Sequence, residues 1–282
     1  ASLIKTWGAM TCFQTLKQQA DFALDEWTWK QIFKKPKGCF SFIRPEAYFI
    51  LRLLTFLLWI GAVSWSVGAH LQDAPLGYWF TKLTHIGALW ELLYFGFAAF
   101  STAMAIWSSV PNGKRDRTPW FVSVTWFLGS SMLVITIIVF VLYWLLVYDG
   151  GNVSALTVVM HGGNFLLAFV DFTWSRKPFN LAHMWVPLTF SFAYGVFTWI
   201  YYVAGGTNED GEPYIYAAVD WRNASATGSL MGLIVLVVVP VLYVAFYLMY
   251  MVCCKPFTAS GKSMSSMDMD SAPPQVLGVA EP

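Results

Sequence analysis

The segment WFVSVTWFLGSSMLVITIIVFVLYWLLV, Trp120–Val147, decides the fold class, because it contains no charged side chain. A helix needs about 20 consecutive apolar residues to cross a membrane. Five further apolar runs of comparable length accompany it, at residues 47–69, 78–107, 153–174, 181–204 and 229–254. The sequence therefore predicts six membrane-spanning helices.

The composition of the whole chain supports this prediction. Of its 282 residues, 57% are hydrophobic and only 12% are charged, whereas about 25% of the residues of a soluble domain are charged. The alternation of apolar and polar residues that marks a membrane-spanning β-strand is absent. A backbone in lipid must satisfy its own hydrogen bonds, which a helix does. We therefore predict an all-α integral membrane bundle of six transmembrane helices.

Charge sets the expected orientation of the bundle. If six spans cross the membrane, residues 1–45, 108–119, 175–180 and 255–282 all lie on the same side of it. These four segments contain most of the 17 lysines and arginines. Cytoplasmic loops carry an excess of lysine and arginine. Both termini are therefore expected in the cytosol, with the long loop at residues 205–227 outside.

Three regions follow from this topology. Residues 1–45 form a cytoplasmic N-terminal segment, whose aromatic and basic stretch at 20–35 predicts an amphipathic helix at the membrane interface. A helix packed under the bundle is the alternative. Residues 46–254 form the six-helix transmembrane domain. Residues 255–282 are rich in Ser, Met, Ala and Pro, which predicts a disordered cytoplasmic tail.

Two kinds of modification site are visible in the sequence. Asn223-Ala224-Ser225 is an N-glycosylation acceptor in the longest outer loop. Cys253 and Cys254 end the last span on the cytoplasmic side and are palmitoylation candidates, with unmodified thiols as the alternative. The four cysteines contain no CxxC pair, so we expect neither a disulfide framework nor a metal site.

Polar residues at membrane depth are functional candidates, because burying them there is costly. The set comprises Arg52, Thr84, His85, Glu91, His161, Asn164, Asp171 and His183. At about 1.5 Å per helical residue, Thr84 and His161 share the outer half of the bilayer. We therefore expect them to face one polar cavity, provided that the second and fourth spans are neighbours. Arg52 and Asp171 lie near the inner side, where they pair, or Arg52 extends to the interface.

Two stretches resemble the rolling stone family of multi-pass membrane proteins. One is Met160-His161-Gly162-Gly163-Asn164 followed by Asp171, and the other is FAYGVFTWIYYVAGGTNEDGEPYIYAAVDW at residues 192–221. The resemblance covers residues 45–255. The family takes its name from an insect protein implicated in myoblast fusion, so the resemblance implies a role in cell contact, fusion or membrane assembly without established catalysis.

A more distant resemblance is to the androgen-induced family of intramembrane hydrolases, which cleave fatty acid esters with a Thr nucleophile and a His. The matching strings are Leu83-Thr84-His85-Ile86, Tyr94-Phe95-Gly96 and Met160-His161. The resemblance implies Thr84 as nucleophile and His161 as base, although His85 departs from that family's pattern. The remaining intramembrane polar groups are taken as supporting residues, namely His85, Glu91, Asn164 and Asp171.

Two functions from different classes therefore stay open. The first is a plasma-membrane protein, delivered by the secretory pathway, that acts in cell contact, fusion or membrane assembly through the loop at residues 205–227. The second is an intramembrane hydrolase of lipid esters that uses Thr84 and His161. The expected partners are membrane lipids, a protein bound at the outer loop, and further copies of the chain in an oligomer.

Other classes fit the sequence less well. A transporter or proton relay would use Glu91, His161 and Asp171, but no internal repeat stands out. Two haems would need four axial histidines, and only three lie in the spans, so we expect no cofactor. The net charge of +1 provides no attraction to nucleic acid.

The sequon at Asn223 gives a first testable prediction. When the protein is made in a eukaryotic secretory pathway, glycosidase treatment is expected to increase its gel mobility, and Asn223→Gln is expected to abolish that change. Asn152→Gln is the matched control, because the sequon Asn152-Val153-Ser154 abuts the membrane. Mobility that is insensitive to glycosidase in the wild type contradicts the prediction.

Overall fold

The structure is a computed structural model that describes residues 26–37, 40–108, 118–148 and 150–254; at residues 26–28, 253 and 254 only the backbone is described. Within these ranges there are helices and connecting turns but no strand. Six of the helices are long and apolar enough to cross a membrane. The prediction of an all-α bundle with six spans is confirmed.

We label seven helices, of which the first is too short to span a membrane. They are α1 (Glu26–Lys34), α2 (Pro45–Asp73), α3 (Leu83–Trp107), α4 (Trp120–Val147), α5 (Ala155–Trp174), α6 (Trp185–Val203) and α7, which comprises Ala224–Leu233, Ile234–Val238 and Val239–Cys254. A 3₁₀ turn, Leu181–Met184, leads into α6. The third, fourth and fifth spans therefore match the sequence prediction to within two residues.

Local sequence signals explain where the helices begin. Pro45 occupies the first turn of α2, where its missing N–H costs nothing. The side chain of Ser154 accepts a hydrogen bond from the Thr157 N–H at the start of α5, and Asn223 does the same for Ala226 at the start of α7. Each of these caps satisfies an amide that has no partner within the helix.

The second span starts later than the sequence predicts. Residues 78–107 read as one run, but the structure contains a separate one-turn helix, Leu76–Trp79, and begins α3 only at Leu83. Lys82 adopts an extended backbone conformation and interrupts the helix. The chain therefore changes direction between this short helix and α3. Thr84 lies in the first turn of α3.

Helices α3 and α4 form the centre of the bundle. Small buried side chains on α3, including Ala88 and Ala98, allow its neighbours to approach closely. Two tryptophans link neighbouring helices through hydrogen bonds from their indole N–H groups. Trp59 on α2 donates to the Ala88 carbonyl at 2.9 Å, and Trp90 on α3 donates to the Leu128 carbonyl at 3.2 Å.

Helix α1 packs beneath the bundle. Its buried residues Trp29, Ile32 and Phe33 form a cluster with Phe121 and Val122 at the start of α4. The Trp29 and Phe121 rings meet edge to face, with centroids 5.7 Å apart. The helical part of the N-terminal segment is thus held by α3 and α4, whereas its contact with a membrane surface stays a prediction.

Several basic segments meet at this end of the molecule, which we call the α1 end. The Lys37 N–H donates to the Trp174 carbonyl at 2.8 Å, and Arg176 Nε donates to the Pro36 carbonyl at 2.9 Å. The segment before α2 and the segment after α5 therefore share one end of the bundle, as the charge pattern predicts. The cytosolic orientation of that end stays a prediction, and the tail at 255–282 lies outside the described residues.

A buried charge cluster lies just inside the α1 end. The predicted ion pair between Arg52 and Asp171 forms, with 3.4 Å between Nη2 and Oδ1, and Lys177 Nζ approaches the other carboxylate oxygen to 3.5 Å. Tyr94 donates to Asp171, and Arg52 donates to the Tyr48 hydroxyl. Burial lowers the pKa of Lys177 to about 8, because the cost of burying its ammonium group outweighs the attraction of Asp171.

Removal of the single carboxylate in this cluster is expected to destabilise the protein. Asp171→Asn leaves the buried cations Arg52 and Lys177 without a counter-charge, a loss of about 3–5 kcal/mol in comparable sites. The melting temperature of the detergent-solubilised protein should fall accordingly. Glu46→Gln, on an exposed carboxylate in the first turn of α2, is the control and should change stability by less than about 1 kcal/mol. Equal melting temperatures for the two variants contradict the prediction.

Candidate active site

A cavity of about 440 Å³ lies at the end of the bundle opposite the α1 end. Its deep wall is apolar and comes from α4, α6 and α7, with side chains that include Ile135, Ile138, Leu142, Phe190, Met231 and Ile234. The polar part of its lining includes Lys82, Thr84, His161, Asn208 and Glu209. The volume is in the range of small-molecule sites, and the division into a polar and an apolar half suits an amphiphile.

Residues 205–223, which we call the cover segment, close over this cavity. Gly205 starts it with a φ of +78°, a conformation that glycine adopts without strain. At Gly206 a Cβ atom would lie 2.5 Å from the Tyr201 ring, so a larger side chain would collide. The Tyr201 hydroxyl donates to the Thr207 carbonyl at 2.7 Å. The Gly-Gly-Thr string therefore turns the chain tightly back over α6.

Polar contacts fasten the cover segment to the bundle. Glu209 forms an ion pair with Lys82 at 2.6 Å. The Asn208 side chain accepts the backbone N–H groups of Asp210 and Glu212 at 3.0 and 2.8 Å. The Trp221 indole N–H donates to Thr198 on α6 at 3.1 Å. The outer loop is thus a folded part of the cavity wall, with an acidic tip that stays exposed.

Three π-helical turns contribute to the same cavity. They are Tyr143–Val147 in α4, Val159–Gly163 in α5 and Ile234–Val238 in α7. Each places a residue on the cavity wall, respectively Tyr143, His161 and Ile234. A π-helical turn inserts one residue into a helix and redirects its side chains, and such turns occur frequently at functional sites.

The polar part of the cavity lining holds a pair formed by Thr84 and His161. Thr84 Oγ1 lies 3.2 Å from His161 Nε2, and His161 Nδ1 lies 3.0 Å from the carbonyl oxygen of Thr157. A carbonyl oxygen only accepts, so Nδ1 carries the hydrogen and the neutral ring leaves Nε2 as the acceptor. Thr84 therefore donates its hydroxyl proton to Nε2. The expected proximity of Thr84 and His161 in one cavity is confirmed.

The surroundings of the pair hold it in this orientation. The Tyr143 ring stacks on the His161 imidazole with centroids 3.5 Å apart and an interplanar angle of 18°. The Thr84 side chain is buried. Among the hydrogen bonds described, none joins its hydroxyl to a carbonyl of its own helix, which is where a threonine in a helix commonly donates. A hydroxyl that donates to a fixed, unprotonated imidazole nitrogen is the arrangement of an activated nucleophile.

The supporting polar residues are distributed over three places. His85 lines the cavity, but its Nδ1 lies 2.7 Å from the Trp79 carbonyl and its Nε2 lies 3.4 Å from Ser66 Oγ. Both ring nitrogens are thus engaged within the fold, which disfavours His85 as a haem ligand. Asp171 belongs to the charge cluster at the α1 end and does not line the cavity.

Glu91 and Asn164 are buried between the two ends and do not line the cavity either. The Asn164 side-chain oxygen accepts the neighbouring Phe165 N–H. Neither carboxylate oxygen of Glu91 has a partner within the part of the chain that the structure describes. Of the four supporting residues, the structure therefore brings only His85 to the cavity of Thr84 and His161, and the roles of all four stay predictions.

The modification sites lie at opposite ends of α7. Asn223 is exposed and caps the first turn of the helix through its side-chain oxygen. The backbone of Cys253 and Cys254 forms the last turn, but the side chains of these cysteines lie outside the described atoms. Glycosylation and palmitoylation stay predictions.

Two aromatic residues of the site have no simple sequence signal. Tyr143 stands inside the uninterrupted apolar run of α4, and Tyr216 stands in the cover segment among other tyrosines. The contact of Tyr143 with His161 depends on two π-helical turns, which the hydrophobic pattern does not predict. The contact of Tyr216 with α3 depends on the path of the cover segment.

Comparisons with known proteins agree on one family. The sequence profile of the family described as Protein rolling stone matches residues 48–263. The chain is similar to Protein rolling stone of Drosophila melanogaster, with 28% identity over 116 residues, a match that spans 40% of this chain and 42% of the fly protein. The chain therefore spans less than half the length of that relative. No solved structure matches it.

The cavity gives a prediction that does not depend on catalysis. A fluorescent single-chain fatty acid is expected to bind the detergent-solubilised protein with its chain along the apolar wall, and Met231→Trp should weaken binding at least about tenfold, because added bulk in a packed site is costly. Leu233→Trp is the control, since Leu233 lies on the same helix with its side chain exposed. Equal affinities for the two variants contradict a ligand in this cavity.

Proposed function

Since the chain belongs to the rolling stone family of multi-pass membrane proteins, we propose that this member is an intramembrane hydrolase of lipid esters, with Thr84 as nucleophile and His161 as general base. The observation that carries the proposal is the 3.2 Å contact between Thr84 Oγ1 and the acceptor nitrogen of His161, in the lining of an amphipathic cavity. This distance lies within the range of about 2.6–3.2 Å at which a base removes a proton.

The first half-reaction transfers the acyl group to the protein. Thr84 Oγ1 attacks the ester carbonyl carbon while its proton passes to His161 Nε2, which gives a tetrahedral oxyanion and an imidazolium. The oxyanion then collapses, the carbon–oxygen bond to the alcohol breaks, and Nε2 returns its proton to the leaving oxygen. The products of this step are a free alcohol and an acylated Thr84.

The second half-reaction uses water and regenerates the pair. His161 Nε2 takes a proton from a water molecule, whose oxygen attacks the acyl carbon. Collapse of the second tetrahedral intermediate releases a fatty acid, and Nε2 returns the proton to Thr84. The Thr157 carbonyl supports both halves, because it accepts the Nδ1 hydrogen and stabilises the imidazolium as it forms.

The shape of the cavity supports a lipid substrate. An ester group at Thr84 places its acyl chain against the apolar wall formed by α4 and α7, and the rest of the molecule under the polar cover segment. Membrane lipids or esters dissolved in the bilayer are therefore the expected partners. Delivery through the secretory pathway to the plasma membrane remains part of this proposal.

A role in cell contact, fusion or membrane assembly is the second candidate, and one observation favours it. The cover segment exposes an acidic tip at Asp210 and Glu212, in a turn held rigid by Asn208. A rigid, charged and exposed turn suits a basic protein surface as partner. This role needs no turnover at Thr84, so an activity measurement separates the two candidates.

The proposal predicts that both members of the pair are needed for turnover. With a fluorogenic ester of a medium-chain fatty acid, Thr84→Ala and His161→Ala are each expected to lower kcat by about 10²–10⁴-fold. The double variant should lose little more than either single variant, because residues that act as a unit are not additive.

Thr81→Ala is the matched control, since the Thr81 hydroxyl donates to the Tyr78 carbonyl outside the pair. It should retain wild-type turnover. If folded Thr84→Ala protein hydrolyses the ester at the wild-type rate, the hydrolase proposal is wrong. In that case charge reversal at Asp210 and Glu212, assayed by adhesion between cells that express the protein, becomes the appropriate test.

A further inference from the structure

Tyr216 of the cover segment reaches the start of α3. Its hydroxyl oxygen accepts a hydrogen bond from the Leu83 backbone N–H at 3.0 Å. Electrostatic interactions also link the phenol to the hydroxyl and the backbone N–H of Thr84 and to the Tyr194 hydroxyl. The phenol thus lies beside the oxygen atom that is proposed to attack the ester.

The phenol is equipped to donate a hydrogen bond at this position. Its oxygen accepts the Leu83 N–H, and a phenol that accepts a hydrogen bond still has its own proton to give. The neighbouring Tyr194 hydroxyl already donates to the Thr81 carbonyl, so the Tyr216 proton is directed to the oxygen of Tyr194 or of Thr84. Burial raises the pKa of Tyr216 to about 12, so the hydroxyl keeps this proton at neutral pH. The amide that it accepts belongs to the first turn of α3 and fixes the position of the oxygen.

The phenol is only one of several attachments that hold the cover segment on the bundle. That segment is already attached through Lys82 to Glu209 at 2.6 Å, through Trp221 to Thr198 at 3.1 Å, and through Thr207 to Tyr201 at 2.7 Å. The Tyr216 hydroxyl adds its contacts with Leu83 and Thr84 to this set, and both lie at the start of α3, beside the proposed nucleophile. Anchoring of the cover segment therefore does not by itself explain why this hydroxyl lies next to Thr84.

We propose that Tyr216 is a catalytic residue that donates its phenolic hydrogen bond to the oxyanion formed when Thr84 attacks the ester. This inference rests on the proposed function. The negative charge develops on the carbonyl oxygen, one bond from the carbon that Thr84 Oγ1 attacks, and a donor beside Thr84 reaches that position. A donor fixed in advance stabilises such a charge more than water does.

The cover segment thereby completes the active site as well as closing it. Thr84 comes from α3, His161 from α5 and Tyr216 from the segment between α6 and α7. The site is complete only when the cover segment lies on α3.

The test is the substitution Tyr216→Phe, assayed with the same fluorogenic ester. Phenylalanine keeps the ring and its packing but removes the hydroxyl. We expect kcat to fall by about 10²–10³-fold, the loss found when one oxyanion donor is removed, with KM within twofold of the wild type. The melting temperature should fall only slightly, because the Leu83 N–H loses one acceptor. Tyr202→Phe is the control, because Tyr202 lies on α6 outside the cavity lining, and it should keep wild-type turnover.

The outcomes separate this inference from the proposed function. If Tyr216→Phe keeps wild-type kcat while Thr84→Ala is inactive, the role of Tyr216 is overturned and the hydrolase proposal stands. If Tyr216→Phe raises KM or lowers the melting temperature with kcat unchanged, the hydroxyl is structural and the inference is likewise overturned. If the wild type shows no turnover above Thr84→Ala, both proposals fail.

Discussion

The structure depends on one constraint, which is that a polar group in the apolar interior of a membrane needs a partner within the protein. The backbone meets it by forming helices, and the tryptophans meet it by donating to carbonyls of neighbouring helices, as Trp59 and Trp90 do. The ionisable side chains meet it through ion pairs, as Arg52 and Asp171 do. The same constraint therefore selects the secondary structure and orients the helices.

The polar side chains at the two ends of the bundle satisfy this constraint in different ways. At the α1 end, Asp171 accepts contacts from two cations and a phenol, and the cluster is closed. At the other end, Thr84 and His161 satisfy each other beside a cavity of about 440 Å³. A paired hydroxyl and imidazole that line a cavity can exchange their hydrogen bond for one to a ligand. Chemistry is therefore expected at the second end.

The cavity exists because the helices around it depart from regular α-helical geometry. The π-helical turns place Tyr143 and His161 face to face, and the interruption before α3 places Thr84 in a first turn, where the cover segment reaches it. The cover segment in turn needs glycine at positions 205 and 206 for its tight return. Local irregularities that are costly in a helix or loop thus coincide at the proposed active site.

By itself, the sequence determined the number of spans, their helical state, most of their bounds and the depth shared by Thr84 and His161, because hydrophobic length and helical rise are local properties. It also indicated the pairing of Arg52 with Asp171. Only the tertiary structure decided that α3 and α5 place Thr84 and His161 in contact, that Lys177 joins Arg52 at Asp171, and that Tyr216 reaches the start of α3. These outcomes depend on packing between segments far apart in the chain, on which hydrophobic periodicity carries no information.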